Sequence, residues 1–175
     1  MDNEKINKFL YLVLIFLAGS LAGYIYEVIF YYFTEGNLAN RGVLYGPWLP
    51  IYGVGCVLLY YLKPFKKNPL LLFFLCMVVT GIVEYIIGLV SVYIFDMRLW
   101  DYRGLFMNLQ GIICLRSVVS FGIGGLLFHY ILEPWLEKGF KKVNFKTEKI
   151  LAIIFITIFM LDIVFSYLFR NPILY

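Results

Sequence analysis

Four ionisable side chains stand inside runs that are otherwise apolar: Glu27, Glu84, Arg116 and Asp162. Charged groups at such places are costly, and they face a bundle interior or a watery cavity where ions, protons or polar solutes are handled. Carboxylates there bind hard cations or carry protons, because burial favours their neutral form. Arg116 is expected to pair with Glu84 or Glu27. Two irregular segments add further polar groups. One is NRGVLYGPWLPIYG, Asn40–Gly53; the other is DMRLWDYRGLFMNLQG, Asp96–Gly111, with Trp100, Asp101, Asn108 and Gln110. Non-helical backbone at membrane depth is tolerated only where protein or water satisfies its N–H and C=O groups. Both segments are therefore expected to be re-entrant or capping. The candidate substrate-binding set is Glu27, Asn40, Arg41, Glu84, Trp100, Asp101, Asn108 and Arg116, gathered in one cavity in the outer half of the membrane.

Other chemistries find little support. His129 is the one histidine and is expected at the cytoplasmic end of its span, far from this outer set. Cys56, Cys76 and Cys114 lie in apolar runs, with no CxxC or Cys/His cluster, and read as core residues. No catalytic residue, metal site or cofactor is predicted. A Walker-type GxxxxGK[ST] is absent, so any ATP-driven role needs a separate ATPase subunit. The stretch Glu133–Glu148 is a candidate docking segment for such a partner, or a plain basic linker.

The elements that must position these residues follow from composition. The chain has 175 residues, 62% hydrophobic and 15% charged, more apolar than one water-soluble core of this size can hide. Its net charge of +4 is scattered, which excludes nucleic acid as a partner and leaves the lipid bilayer. Four apolar runs reach the ~20 residues needed to cross hydrocarbon. They are Phe9–Phe33, Pro69–Phe95, Leu105–Leu132 and Ile150–Phe169. Ala18-Gly19-Ser20 resembles a signal-peptidase site, but the first run continues past it, so it reads as an uncleaved anchor. A fifth run, Pro47–Leu62, is short and either spans or dips in and returns.

Basic residues decide between these. If the fifth run spans, all ten lysines are cytoplasmic, and Arg41, Arg98, Arg103 and Arg170 are outside. If it dips, five basic residues lie inside and nine outside. The positive-inside rule favours five spans, with the N-terminus cytoplasmic and the C-terminus extracytoplasmic. Helical spacing then puts Gly19, Gly23 and Glu27 on one face. Gly81, Glu84 and Gly88 share another, Arg116, Ser120 and Gly124 a third, and Asp162 with Ser166 a fourth. Each is expected to be a helix-contact face.

The residues Gly23-Tyr24 with Glu27, the block Asn40–Gly53, Glu84-Tyr85, Trp100-Asp101-Tyr102 and Asn108-Leu109-Gln110-Gly111 before Cys114-Leu115-Arg116 occur in the order of a known family. The chain resembles the bacterial membrane proteins described as putative ABC-transporter type IV permeases, over about residues 10–132. It departs from their pattern at Ile112, where a basic residue is frequent, at Val92, where an acidic one is, and at Arg103, where a small hydroxyl is. The resemblance implies a bacterial cytoplasmic membrane setting and transport, without naming a substrate.

The reading is thus an all-α polytopic protein forming a single transmembrane domain over residues 1–175. Its expected role is a small transporter or permease-like component for a small solute, cation or proton. The alternatives are an intramembrane enzyme using Glu27 or Glu84 as acid/base, and a non-transporting assembly or regulatory protein.

Overall fold

In a computed structural model, residues 3–36 and 42–169 are described, and all their regular structure is helical. The helices are α1 (Asn3–Glu35), α2 (Pro50–Tyr60), α3 (Pro69–Tyr93), α4 (Leu115–Leu127), α5 (Glu133–Phe140) and α6 (Phe145–Phe169). A 3-10 turn covers Lys63–Lys67 and a π turn covers Phe128–Leu132. Four continuous helical stretches are long and apolar enough to cross a membrane: Ile6–Thr34, Pro69–Tyr93, Leu115–Phe140 and Phe145–Phe169. The fifth apolar helix, α2, has 11 residues. At ~1.5 Å per residue it covers roughly 16 Å, about half of the ~30 Å hydrocarbon core.

Start signals are local. Pro69 opens α3 at a position where its missing N–H costs nothing, and the Asn68 side chain accepts from the Leu71 amide at 3.1 Å. The fourth apolar run extends from Leu105, yet helix begins only at Leu115. Met107 and Gln110 have positive φ, as does Gly111, and Cys114 forms a capping box with Ser117. The helix then passes through Pro134 to Phe140. The π turn ends at Leu132, and the Glu133 N–H bonds back to the Phe128 carbonyl. This wider turn eases the clash a proline makes with the carbonyl four residues earlier.

The described chain divides into two compact units, 3–54 with 135–169, and 55–134. In the first, α1 and α6 run in the same direction. Leu10–Leu17 of α1 faces Leu151–Phe155 of α6, and higher up Phe16 meets Phe159 edge-on at 5.3 Å. Beyond that, Trp48 also meets Phe159, and the Leu49 N–H donates to the Ser20 carbonyl at 3.0 Å. In the second unit α3 and α4 are antiparallel. Glu84 pairs with Ser117, Gly81 faces Val118, and Gly125 sits on Cys76.

Candidate functional site

Glu84 is the most completely enclosed carboxylate of the candidate set, 2% exposed in the middle of α3. Gly81 and Gly88, three before and four after it, are buried on the same face, as their spacing predicts. Their lack of side chains lets α4 and the loop approach: a Cβ at Gly88 would collide with Ile112, and Trp100 would crowd it. Glu84 accepts from the Tyr102 hydroxyl at 3.0 Å and from the Ser117 hydroxyl at 2.9 Å. Ser117 Oγ also lies 3.0 Å from the Cys114 carbonyl and accepts from the Cys114 N–H at 3.2 Å. Its one proton thus has two acceptors within reach, a carboxylate and a helix-capping carbonyl. An ionised Glu84 takes that proton. A neutral Glu84 can donate to Ser117 instead, whose proton then turns to Cys114.

The loop that supplies Tyr102 is tied by other members of the set. Trp100 Nε1 donates to the Ile112 carbonyl at 2.7 Å, and the Tyr102 N–H to the Gly111 carbonyl at 2.8 Å. Asn108 donates to the Leu105 carbonyl and accepts from the Gly111 N–H. Gly111 has φ +70, and a Cβ there would also press on Arg103 and Asp101. Trp100 and Asn108 therefore shape the loop. Asp101 is exposed and holds Arg103, with Nε 2.7 Å from Oδ2, while Arg98 approaches to 3.8 Å. The Arg103 hydrogen bonds hold the Asp101 carboxyl at about 2, below its usual range, and its charge adds to them.

In the other unit Glu27, half-buried, accepts from the Tyr52 hydroxyl at 2.8 Å. Gly23, one turn earlier, makes room for the Tyr52 ring, which any Cβ at that position would strike. Gly53 likewise lies against Ser20 and the Phe16 carbonyl. The segment before α2 finds its backbone partners on α6. The Gly46 N–H donates to Asp162 Oδ2 at 3.0 Å and the Tyr45 N–H to Ser166 Oγ at 2.9 Å, while Ser166 donates to Asp162 Oδ1 at 3.2 Å. Asp162 is a clamp for irregular backbone.

The other positions divide as follows. Asn40 and Arg41 lie outside the described residues. The α4 face expected from Arg116, Ser120 and Gly124 is corrected: Arg116 and Gly124 are exposed, and a Cβ at Gly124 would meet nothing within 4 Å. The packed face carries Ser117, Gly122 and Gly125, because the capping box turns Ser117 inward; each one-residue step rotates a helix face by ~100°. Glu27 belongs to one unit, and Glu84, Trp100, Asp101, Asn108 and Arg116 to the other. Sequence reasoning missed Tyr52, Tyr102 and Ser117. Tyr102 follows Trp100-Asp101, and Ser117 stands three residues after its cap, a spacing that marks capping rather than a site. Among the described residues no group of three or more His, Cys, Asp or Glu could hold a metal ion.

The family described as Putative ABC-transporter type IV matches residues 14–167. The chain belongs to that family. No curated protein and no solved structure matches it. As a member of the type IV family it is an ABC-transporter-like, multi-pass membrane protein. The matched stretch includes Glu27, Glu84, Asp162 and both irregular segments. Two of the departures noted above have local structural roles: Ile112 is buried against Gly88, and Arg103 binds Asp101.

Proposed function

We propose that this protein is a small permease-like component of the bacterial cytoplasmic membrane that passes a proton, a cation or a small polar solute. Glu84, bonded to a loop shaped by Trp100 and Asn108, handles the charge in one unit and Glu27 in the other; Asn40, Arg41, Asp101 and Arg116 are the remaining substrate-binding candidates. The observation that carries this reading is the setting of Glu84. A carboxylate buried inside an apolar helix takes hydrogen bonds from two hydroxyls, groups able to donate or accept as it loses or gains a proton. ATP-driven transport would draw on an ATPase outside residues 1–175, which hold no Walker motif.

Helix direction supports five crossings. α1 and α6 are parallel, so an odd number of crossings separates them, and α3 and the helix beginning with α4 supply two. Residues 42–60 make the third. Their irregular first part descends beside Ser20 in the middle of α1, and the short α2 completes the passage. Together with the lysine distribution, this supports a cytoplasmic N-terminus and an extracytoplasmic C-terminus.

The test is flux in proteoliposomes carrying a pH-sensitive dye, with Glu84→Gln as the matched control. Proton- or cation-coupled flux in the wild-type protein, lost in E84Q without a lower unfolding temperature, is the expected result. Equal flux in both proteins would overturn the assignment to Glu84. Silence in the flux assay with chemical conversion of a lipid extract would favour the enzyme instead.

A further inference from the structure

The parallel arrangement of α1 and α6 leaves an apolar cavity of about 500 Å³ at their N-terminal ends, lined also by α5 and the turn after it. Leu10, Leu14 and Leu17 line one wall, and Leu151 and Phe155 the other. Lys138 and Lys142, four residues apart where α5 gives way to the turn, belong to the lining, as does Glu148 near the start of α6. The neighbouring Lys141 is engaged by Glu137 at 2.6 Å. The lining therefore carries two cations and one anion, all near the start of α6 and the end of α5, among otherwise apolar residues and Gly139. Its apolar walls run from the start of two membrane-spanning helices inward by about 10 Å, taking ~1.5 Å per residue from Leu10 to Leu17. A volume of this size is in the range of sites for small molecules, about 300–1,000 Å³.

We propose that this cavity is a binding site for an anionic phospholipid, with an acyl chain lying along Leu10–Leu17 and the phosphate held by Lys138 and Lys142. Three features of the cavity choose this occupant. The walls belong to helices long and apolar enough to span a bilayer, so hydrocarbon is the medium at their surface. The cavity's two ends differ in polarity in the sense of an amphiphile. The rim has a net positive charge, on ammonium groups that attract anionic headgroups near a membrane surface. The proposal does not depend on the transport reading.

Delipidated protein in a neutral detergent is titrated with phosphatidylglycerol and with phosphatidylcholine of the same chains, read by native mass spectrometry and thermal unfolding. Phosphatidylglycerol is expected to bind tighter and to raise the unfolding temperature more. In K138Q/K142Q that preference should vanish, each lysine contributing about fivefold in affinity. Leu14→Trp, which fills the cavity, should lose both lipids. Should that variant not fold, short-chain phosphatidylglycerol on the wild-type protein replaces it, with much weaker binding expected. Equal affinity for the two lipids in wild type, or an unchanged preference in K138Q/K142Q, overturns the proposal. So does an equal shift from inorganic phosphate alone, or a wild-type protein that is dimeric without lipid and monomeric as L14W.

Discussion

Ser117 has one hydroxyl proton and two oxygens to give it to, Glu84 Oε2 at 2.9 Å and the Cys114 carbonyl at 3.0 Å. Substitution therefore separates charge handling from folding. Tyr102→Phe deletes one donor to a carboxylate at little cost in volume, and hydrogen bonds to charged groups contribute about 1.5–3 kcal/mol. The unfolding temperature in detergent should fall measurably for Y102F at neutral pH and fall less when Tyr102→Phe is made in the Glu84→Gln background, because a neutral amide needs the donor less. An equal loss in both backgrounds would count against a charged Glu84. Asp101 offers a contrast at the surface. Its carboxyl sits at about 2 instead of 3.8, so the Arg103 contact stabilises the fold above pH 4 and is lost as the pH falls towards 2. Protection factors of amides in residues 96–114, taken relative to the intrinsic exchange rate at each pH, should fall across that window in the wild-type protein, while Asp101→Asn should show lower protection already at pH 7. At this scale the sequence made Glu84 legible because a charge inside an apolar run has few explanations. Its partners were illegible: Tyr is common in this chain, and the inward turn of Ser117 depends on a cap at Cys114 that composition does not reveal.

Glycine spacing told more about elements than charge did. Gly23 and Gly53 allow α1 and the start of α2 to meet, and Tyr52 occupies the space that a side chain at Gly23 would fill. Gly23→Ala should displace the Tyr52 ring, break its bond to Glu27 and destabilise the protein by about 1–3 kcal/mol, the usual range for overpacking. Gly124→Ala is the control, since a Cβ there meets nothing within 4 Å. Replacing a mid-helix glycine should stabilise, by up to about 1 kcal/mol. Thermal unfolding of the two variants checks both signs. The periodicity that identified Gly81-Glu84-Gly88 as a contact face misassigned α4, although the argument was the same. In α3 the carboxylate itself lies on the packed face, whereas in α4 Ser117 packs and Arg116, one residue earlier, is exposed. The irregular segments were recognisable from Gly and Pro, but not the clamps that hold them. Asp162 and Ser166 bind Gly46 and Tyr45 through contacts more than 100 residues away in sequence, beyond any local pattern.

For the whole molecule the issue is how many times the chain crosses the membrane, and two independent arguments bear on it. One is the distribution of lysines, which favours Lys63–Lys67 on the same side as the N-terminus. The other is direction: α1 and α6 are parallel, which fits an odd number of passages between them, and the proposed passage over residues 42–60 supplies the third. Hydropathy alone leaves that passage undecided, because α2 has only 11 residues and its approach is not helical. The approach is tolerated because Asp162, Ser166 and the Ser20 carbonyl take up backbone N–H groups that hydrocarbon would leave unsatisfied. Single cysteines in a background lacking Cys56, Cys76 and Cys114, probed with a membrane-impermeant thiol reagent, read the result directly. In intact cells a cysteine at Phe106 should react, and one at Lys66 should react only after the membrane is opened. Labelling of position 66 in intact cells would remove the passage over residues 42–60. The lysines would then be on the wrong side, and α1 and α6 would have to run in opposite directions, contrary to the contacts that Phe16, Trp48 and Leu49 make.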